Sequence, residues 1–85
     1  MKKVKGMVYF EKPLVDLEEN CRLRLENYRE ILDLSETQIR IAAGTLIYDI
    51  SGEVLRIKAV SAREIFVEGE IREIRMEERE QAART

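Results

Sequence analysis

From Cys21 onward, apolar side chains recur at every second position, the repeat of a pleated strand with one buried face. Cys21, Leu23 and Leu25 share one face of the first run, and Arg22, Arg24 and Glu26 share the other. After the polar Asn27-Tyr28-Arg29, the run Ile31-Leu32-Asp33-Leu34 sets Leu32 and Leu34 in phase with Asp33 between them. Ser35-Glu36-Thr37 supplies turn chemistry, because short hydroxyl side chains bond neighbouring backbone groups. Gln38-Ile39-Arg40-Ile41-Ala42 then resumes the alternation, Gly44 ends it, and Thr45-Leu46-Ile47-Tyr48-Asp49-Ile50 follows. Ser51-Gly52 predicts a tight turn, since glycine tolerates the positive φ of hairpin turns. A hairpin over residues 45–60 is therefore expected, its second arm burying Leu55, Ile57 and Ala59 and turning Arg56 and Lys58 outward.

Beyond Ser61-Ala62-Arg63-Glu64 the pattern restarts and then changes phase: Ile65, Val67 and Ile71 share one parity, Ile74 and Met76 the other. A bulge near Arg72 or Glu73, or a corner where the strand changes sheets, reconciles the two. A helix competes here, because Ile71 and Ile74 are three apart and Glu68 and Arg72 four apart. Val, Ile and Phe lead the stretch, so strand is preferred up to about Met76, with residues 77–85 a frayed helix or disordered charged tail.

About six short strands joined by brief turns make the expected fold all-β, with mostly antiparallel neighbours. A flat one-sided sheet would leave its apolar face wet, at roughly 25 cal/mol per Å² of lost burial. The sheet is therefore expected to fold over itself as a small antiparallel sandwich or partly open barrel, or to bury that face against another copy. Residues 1–12 read as a flexible N-terminal arm and residues 13–76 as the β-sheet domain; Phe10, Leu14, Val15 and Leu17 supply part of the cover. A core built from 85 residues is marginal even when closed, which favours a homo-oligomer.

Composition excludes more than it assigns. With no His and one Cys, Ser-His and Cys-His nucleophilic pairs and Cys/His zinc sites are removed together, as is an internal disulfide. Neither an enzyme nor a cofactor is expected. The net charge of -2, from 15 Lys+Arg against 17 Asp+Glu, provides no overall positive field for a nucleic acid or an anionic membrane. No run approaches the roughly 20 apolar residues of a membrane-spanning helix, and Met7-Val8-Tyr9-Phe10 is short for the core of a signal peptide. A cytosolic protein with a free thiol and no transmembrane segment of its own is the simplest reading.

Individual residues follow the same parity. Cys21, in phase with Leu23 and Leu25, reads as a small buried hydrophobe. Asp33 and Asp49 interrupt apolar strands on the outward side and read as solvated. Glu68, Glu70 and Glu73 lack the spacing of a calcium loop, so no metal site is expected. The outward Arg22, Arg24, Arg40, Arg56 and Lys58 form a basic stripe if their strands are neighbours, which suits a single-stranded nucleic-acid binder as the second functional reading. Interleaved Glu26, Glu53, Glu68 and Glu70 favour cross-strand ion pairing instead. Lys2, Lys3 and Lys5 before Met7-Val8-Tyr9-Phe10 describe an arm that packs on the sheet, or meets anionic lipid weakly. A jelly-roll lipid or carbohydrate binder rests on the strand pattern alone.

The phrase Leu25-Glu26-Asn27 followed by Arg29, with Pro13 and Asp16 before it, is joined by Ser35-Glu36, Ile39-Arg40-Ile41, and Gly44 with Leu46. Gly52 with Leu55 and Ile57 follows, then Glu64-Ile65, Glu68-Gly69-Glu70-Ile71 and Ile74. Over about Pro13 to Met76 this order resembles the YabP/YqfC family of sporulation proteins, and is closer to its YqfC branch. Tyr28 stands where that family usually has His, and Glu30 where it usually has Gly. The resemblance implies a non-enzymatic protein of the mother-cell cytoplasm of endospore-forming bacteria, without catalytic residues, whose plausible partner is a membrane-anchored sporulation protein. Candidate interaction residues are then Met7, Val8, Tyr9 and Phe10 of the arm and Asn27, Tyr28 and Arg29 of the family phrase, at a site peripheral to a membrane.

Overall fold

A computed structural model describes residues 12–78. They form six strands: β1 (Leu14–Glu18), β2 (Arg22–Glu26), β3 (Glu30–Leu34), β4 (Gln38–Ala43), β5 (Leu46–Val60) and β6 (Glu64–Glu78). All lie in one antiparallel sheet in the order β1-β2-β6-β5-β4-β3. The all-β expectation holds: the described residues contain no helix, and the sheet does not close into a barrel. The strand at the end of the chain displaces the competing helix as far as Glu78, whereas the rest of the expected tail and the arm before residue 12 lie outside the described residues.

Two of the strands are far from short. β5 and β6 each run for 15 residues and form one long hairpin turned at residues 61–63. The predicted turn at Ser51-Gly52 is absent, and β5 continues through it without a break in the strand. The glycine serves another need: a β-carbon on Gly52 would collide with the carbonyl oxygen of Glu70 on the paired strand. The turn signal was a real backbone constraint of a different kind. β1 is the strand that alternation from Cys21 did not include; it takes up the apolar lead-in Leu14, Val15 and Leu17.

The hairpin cannot be flat. Fifteen extended residues span roughly 50 Å, and yet its two ends lie side by side. The Asn27 amide donates to the Arg63 carbonyl at the turn (2.6 Å), and the Arg29 amide, two residues on, donates to the carbonyl of Ala42 (2.7 Å). Ala42 pairs with Ile47, which pairs with Glu77 at the open end of the hairpin. The hairpin is therefore folded back on itself, with β1 and β2 beside its turn half and β3 and β4 beside its open half.

Bulges make the bend, as extra residues in one strand increase its local twist and curvature. Ser51 pairs with Glu73 but Gly52 with Ile71, leaving Arg72 as the extra residue where the phase change predicts one. Glu53 pairs with Glu70 and Arg56 with Glu68, so Val54 and Leu55 stand opposite Gly69 alone; then Lys58 is extra between Ile57 and Ala59. This last bulge turns Ala59 to the exposed outer face beside Phe66, against the expectation that it is buried. A bulge in β3 likewise puts Ile31 and Leu34, rather than Leu32 and Leu34, in line with Ile41 and Ile39. Backbone groups freed at the bend are met by the tips of the short hairpins. Gly52 and Leu55 donate to Thr37 and Glu36 (3.1 and 2.8 Å), and Gly69 and Ile71 to Cys21 and Asn20 (3.2 and 2.8 Å), as buried backbone polar groups require.

Folding back brings the two inner faces together. Leu23 and Leu25 of β2, Ile39 and Ile41 of β4, Tyr48 and Ile50 of β5, and Ile65 and Val67 of β6 are buried in one cluster, with Leu55 and Ile71 at the bend. Leu25, Ile39, Ile41, Ile50 and Ile65 reach 0% exposure, which a single uncovered layer cannot provide. Each such side chain contributes roughly 1.5–3 kcal/mol of burial.

Strained backbone also lies at the middle bulge. Val54 has φ 53°, a conformation that β-branched residues adopt only under strain, at a cost of about 1–3 kcal/mol. Gly69 has φ 140°, and a β-carbon there would lie 2.6 Å from the Val54 carbonyl oxygen. Val54→Gly is expected to stabilise the protein by about 1 kcal/mol and Gly69→Ala to destabilise it by about 2 kcal/mol or more. Urea unfolding of the two variants checks both signs.

Candidate interaction surface

The Leu25-Glu26-Asn27-Tyr28-Arg29 phrase carries the chain from one half of the bent sheet to the other. Asn27 has φ 64°, which asparagine tolerates better than most residues. Its side-chain nitrogen donates to the Lys12 carbonyl (2.8 Å), and its side-chain oxygen accepts from the Arg63 guanidinium (3.3 Å). The half-buried Tyr28 packs against the core and its hydroxyl donates to the Ser61 carbonyl (3.0 Å). Three segments distant in sequence, the lead-in to β1, the β5–β6 turn and the end of β4, are thus fastened at one end of the molecule. Of the expected interaction residues, the structure brings Asn27, Tyr28 and Arg29 together here, with Arg29 exposed. Met7, Val8, Tyr9 and Phe10 lie outside the described residues. Beside the link, Glu26, Asn27, Ser61, Ala62, Arg63 and Glu64 line an open cleft of about 480 Å³.

The outward cations are matched to carboxylates across the strands. Arg24 lies between Glu26 (2.5 Å), Asp16 (3.3 Å) and Glu64 (3.3 Å). Arg22 reaches Glu18 (3.2 Å) and Glu68 (3.8 Å), while Arg56 and Lys58 converge on the same Glu68 at 3.0 and 3.4 Å. In the other half of the sheet, Arg40 lies within 3.8 Å of Asp33, Asp49 and Glu77. Every residue of the basic stripe is therefore engaged with acid. Arg24 and Arg40 are held between carboxylates, which leaves less unopposed charge for a phosphate backbone.

Glu68 is the hub that parity alone did not reveal. Its hydrogen bond from Arg56, with further help from Lys58, holds its carboxyl below the ordinary glutamate range against the opposing effect of burial. The Glu18, Asp16 and Glu70 carboxylates in turn raise the already high basicity of Arg22, Arg24 and Arg72 through hydrogen bonds. Of the three carboxylates considered for a cation, Glu68 faces Arg56 and Glu70 faces Arg72 (3.1 Å). Among the described residues no group of three or more His, Cys, Asp or Glu is placed to hold a metal ion.

Two residues depart from their sequence reading. Asp49 is on the outward parity but only 5% exposed, because Gln38 donates to both its oxygens (3.0 and 3.1 Å) and Arg40 lies 3.7 Å away. Its neighbours, longer than aspartate, close over it, an effect of cross-strand partners that alternation does not encode. Cys21 is half-buried on the β1–β2 turn, its thiol towards the Glu18 carbonyl at 3.7 Å, instead of in the core. The core position in that phase begins with Leu23.

Removing Asp49 leaves the Gln38 amide and Arg40 without their buried acceptor, so Asp49→Ala is expected to cost about 1–3 kcal/mol in denaturant unfolding. The depressed carboxyl of Glu68 contributes stability that is fully present above the ordinary glutamate pKa and is lost as pH falls through the lower folded value. Glu68→Gln should therefore flatten the acid limb of a stability-against-pH curve, and an unchanged limb would show that other carboxylates set it.

No curated protein and no solved structure matches the chain. A family model does, over residues 11–83. That span takes in all six strands and the fastening at Asn27, and by it the chain belongs to the YabP family.

Proposed function

We propose that this protein is a non-enzymatic sporulation protein of the YqfC branch, an interaction and assembly module in the mother cell of an endospore-forming bacterium. Membership of the YabP family over residues 11–83 is the observation that carries the reading and suggests a sporulation-related protein. The absence of histidine from the sequence agrees with action by contact rather than by catalysis.

The module assembles with further copies of itself and docks on a membrane-anchored sporulation protein, at the membrane's cytoplasmic side. No described helix is long and apolar enough to cross a membrane; in this reading the attachment runs through the partner. The surface offers apolar side chains for contact. Leu14, Leu17, Leu34, Val60 and Met76 are exposed apolar side chains, whereas the outward cations are paired with acid.

Deleting the gene in a spore-forming host is expected to lower the yield of heat-resistant spores, and the tagged protein should recover a membrane protein from sporulating cells. A purified protein that stays monomeric at tens of micromolar, together with unchanged spore yield and partner recovery after removal of residues 1–12, would overturn the reading. Salt-sensitive binding to a single-stranded oligonucleotide would move it to nucleic acid.

A further inference from the structure

We infer that the outer edge of β3 is a strand-addition site, and that its occupant is residues 4–10 of the same chain. Among the described residues β4 is the one strand paired with β3, so β3 is an end of the sheet. An end strand presents backbone groups to whatever extended segment lies beside it. Ile31 and Leu34 face the inner side, opposite Ile41 and Ile39, but remain 36% and 58% exposed, whereas their partners on β4 are at 0%. The inner face thus continues one strand further than the described chain covers it.

The place where the described chain starts selects the occupant. Lys12 is held by the Asn27 side chain, and Pro13 lies against Gly44. Asn27 precedes the start of β3, and Gly44 follows the end of β4, where Ala42 pairs with Glu30. Traced backwards from this point, the chain can follow β3 from Glu30 towards Leu34 without reversing, which makes the pairing antiparallel. Covering β1 instead would need a tight reversal just before Pro13. Eleven extended residues reach roughly 36 Å, about twice the length of β3.

The sequence of the segment fits the edge. Val4, Val8 and Phe10 share one parity, the apolar one that this pairing would set over Ile31 and Leu34, and Lys3, Lys5, Met7 and Tyr9 share the other. The antiparallel direction brings Lys2, Lys3 and Lys5 to the far end of β3, beside the exposed Asp33 and Glu36. Opposite charges there favour this edge. This inference rests on the edge and the segment, and stands whether or not the protein acts in sporulation.

Amide hydrogen exchange on the full 85-residue protein tests it, with Tyr9→Pro as the disrupting variant, since proline removes a ladder donor. Those β3 amides that point away from β4 should exchange at least about tenfold slower than in a free chain, and should lose that protection in Tyr9→Pro. Unchanged protection of β2 and β6 in the variant shows that the fold survives; Phe10→Asp, which leaves the backbone donor in place, should give a partial loss. Protection must also persist across a roughly hundredfold dilution. Free-chain exchange of those amides in the unmodified protein, or protection that Tyr9→Pro leaves intact, overturns the proposal. Loss on dilution overturns it as well, in favour of a second copy supplying the strand.

Discussion

The folding back of the β5–β6 hairpin is the constraint on which the rest of the molecule depends. A flat six-stranded sheet of these residues would leave one face of leucine and isoleucine in water. Bulges at Lys58, at Val54 and Leu55, and at Arg72 let one continuous pair of strands serve both layers. Asn27 to Arg29 fasten the free ends of the bend, bonding the turn end through Arg63 and the open end through Ala42. Core burial, the positions of the other four strands and the location of the family phrase all follow from that closure.

Charge plays a secondary, ordering part. The outer face is a lattice in which guanidinium groups lie opposite carboxylates on adjacent strands, with Glu68 serving three cations. Exposed pairs of this kind add little stability singly. They disfavour shifted registers, because a one-residue slip would send charge into the core and apolar side chains to solvent. The same lattice accommodates much of the charge of a sequence with 38% charged residues on the outer face of the described sheet.

Much of this was legible in the sequence, for an identifiable reason. Alternation reports which side chains share a face, and it correctly sorted Leu23 and Leu25 from Arg22 and Arg24, and located the phase change at Arg72. It does not report what stands opposite each residue. Thus Gly52 looked like a turn when it marks a close approach to Glu70, and Asp49 looked solvated when Gln38 and Arg40 cover it. The family phrase stood out in the sequence, but its mechanical role did not, because Ser61, Arg63 and Ala42 come near it only in the folded chain.

The pairing of β2 with β6 also sets the order in which this chain can become a protein. Leu25 lies opposite Ile65, and Leu23 opposite Val67, contacts about forty residues apart that require a large loop to close before any reward is gained. As synthesis proceeds from the N-terminus, β1 and β2 have each other but no covering layer, and β3 and β4 wait for β5. β6, the last of the described strands, joins the two groups. Folding is therefore expected to be a single late event, with the half-made chain exposing its apolar strands until β6 arrives.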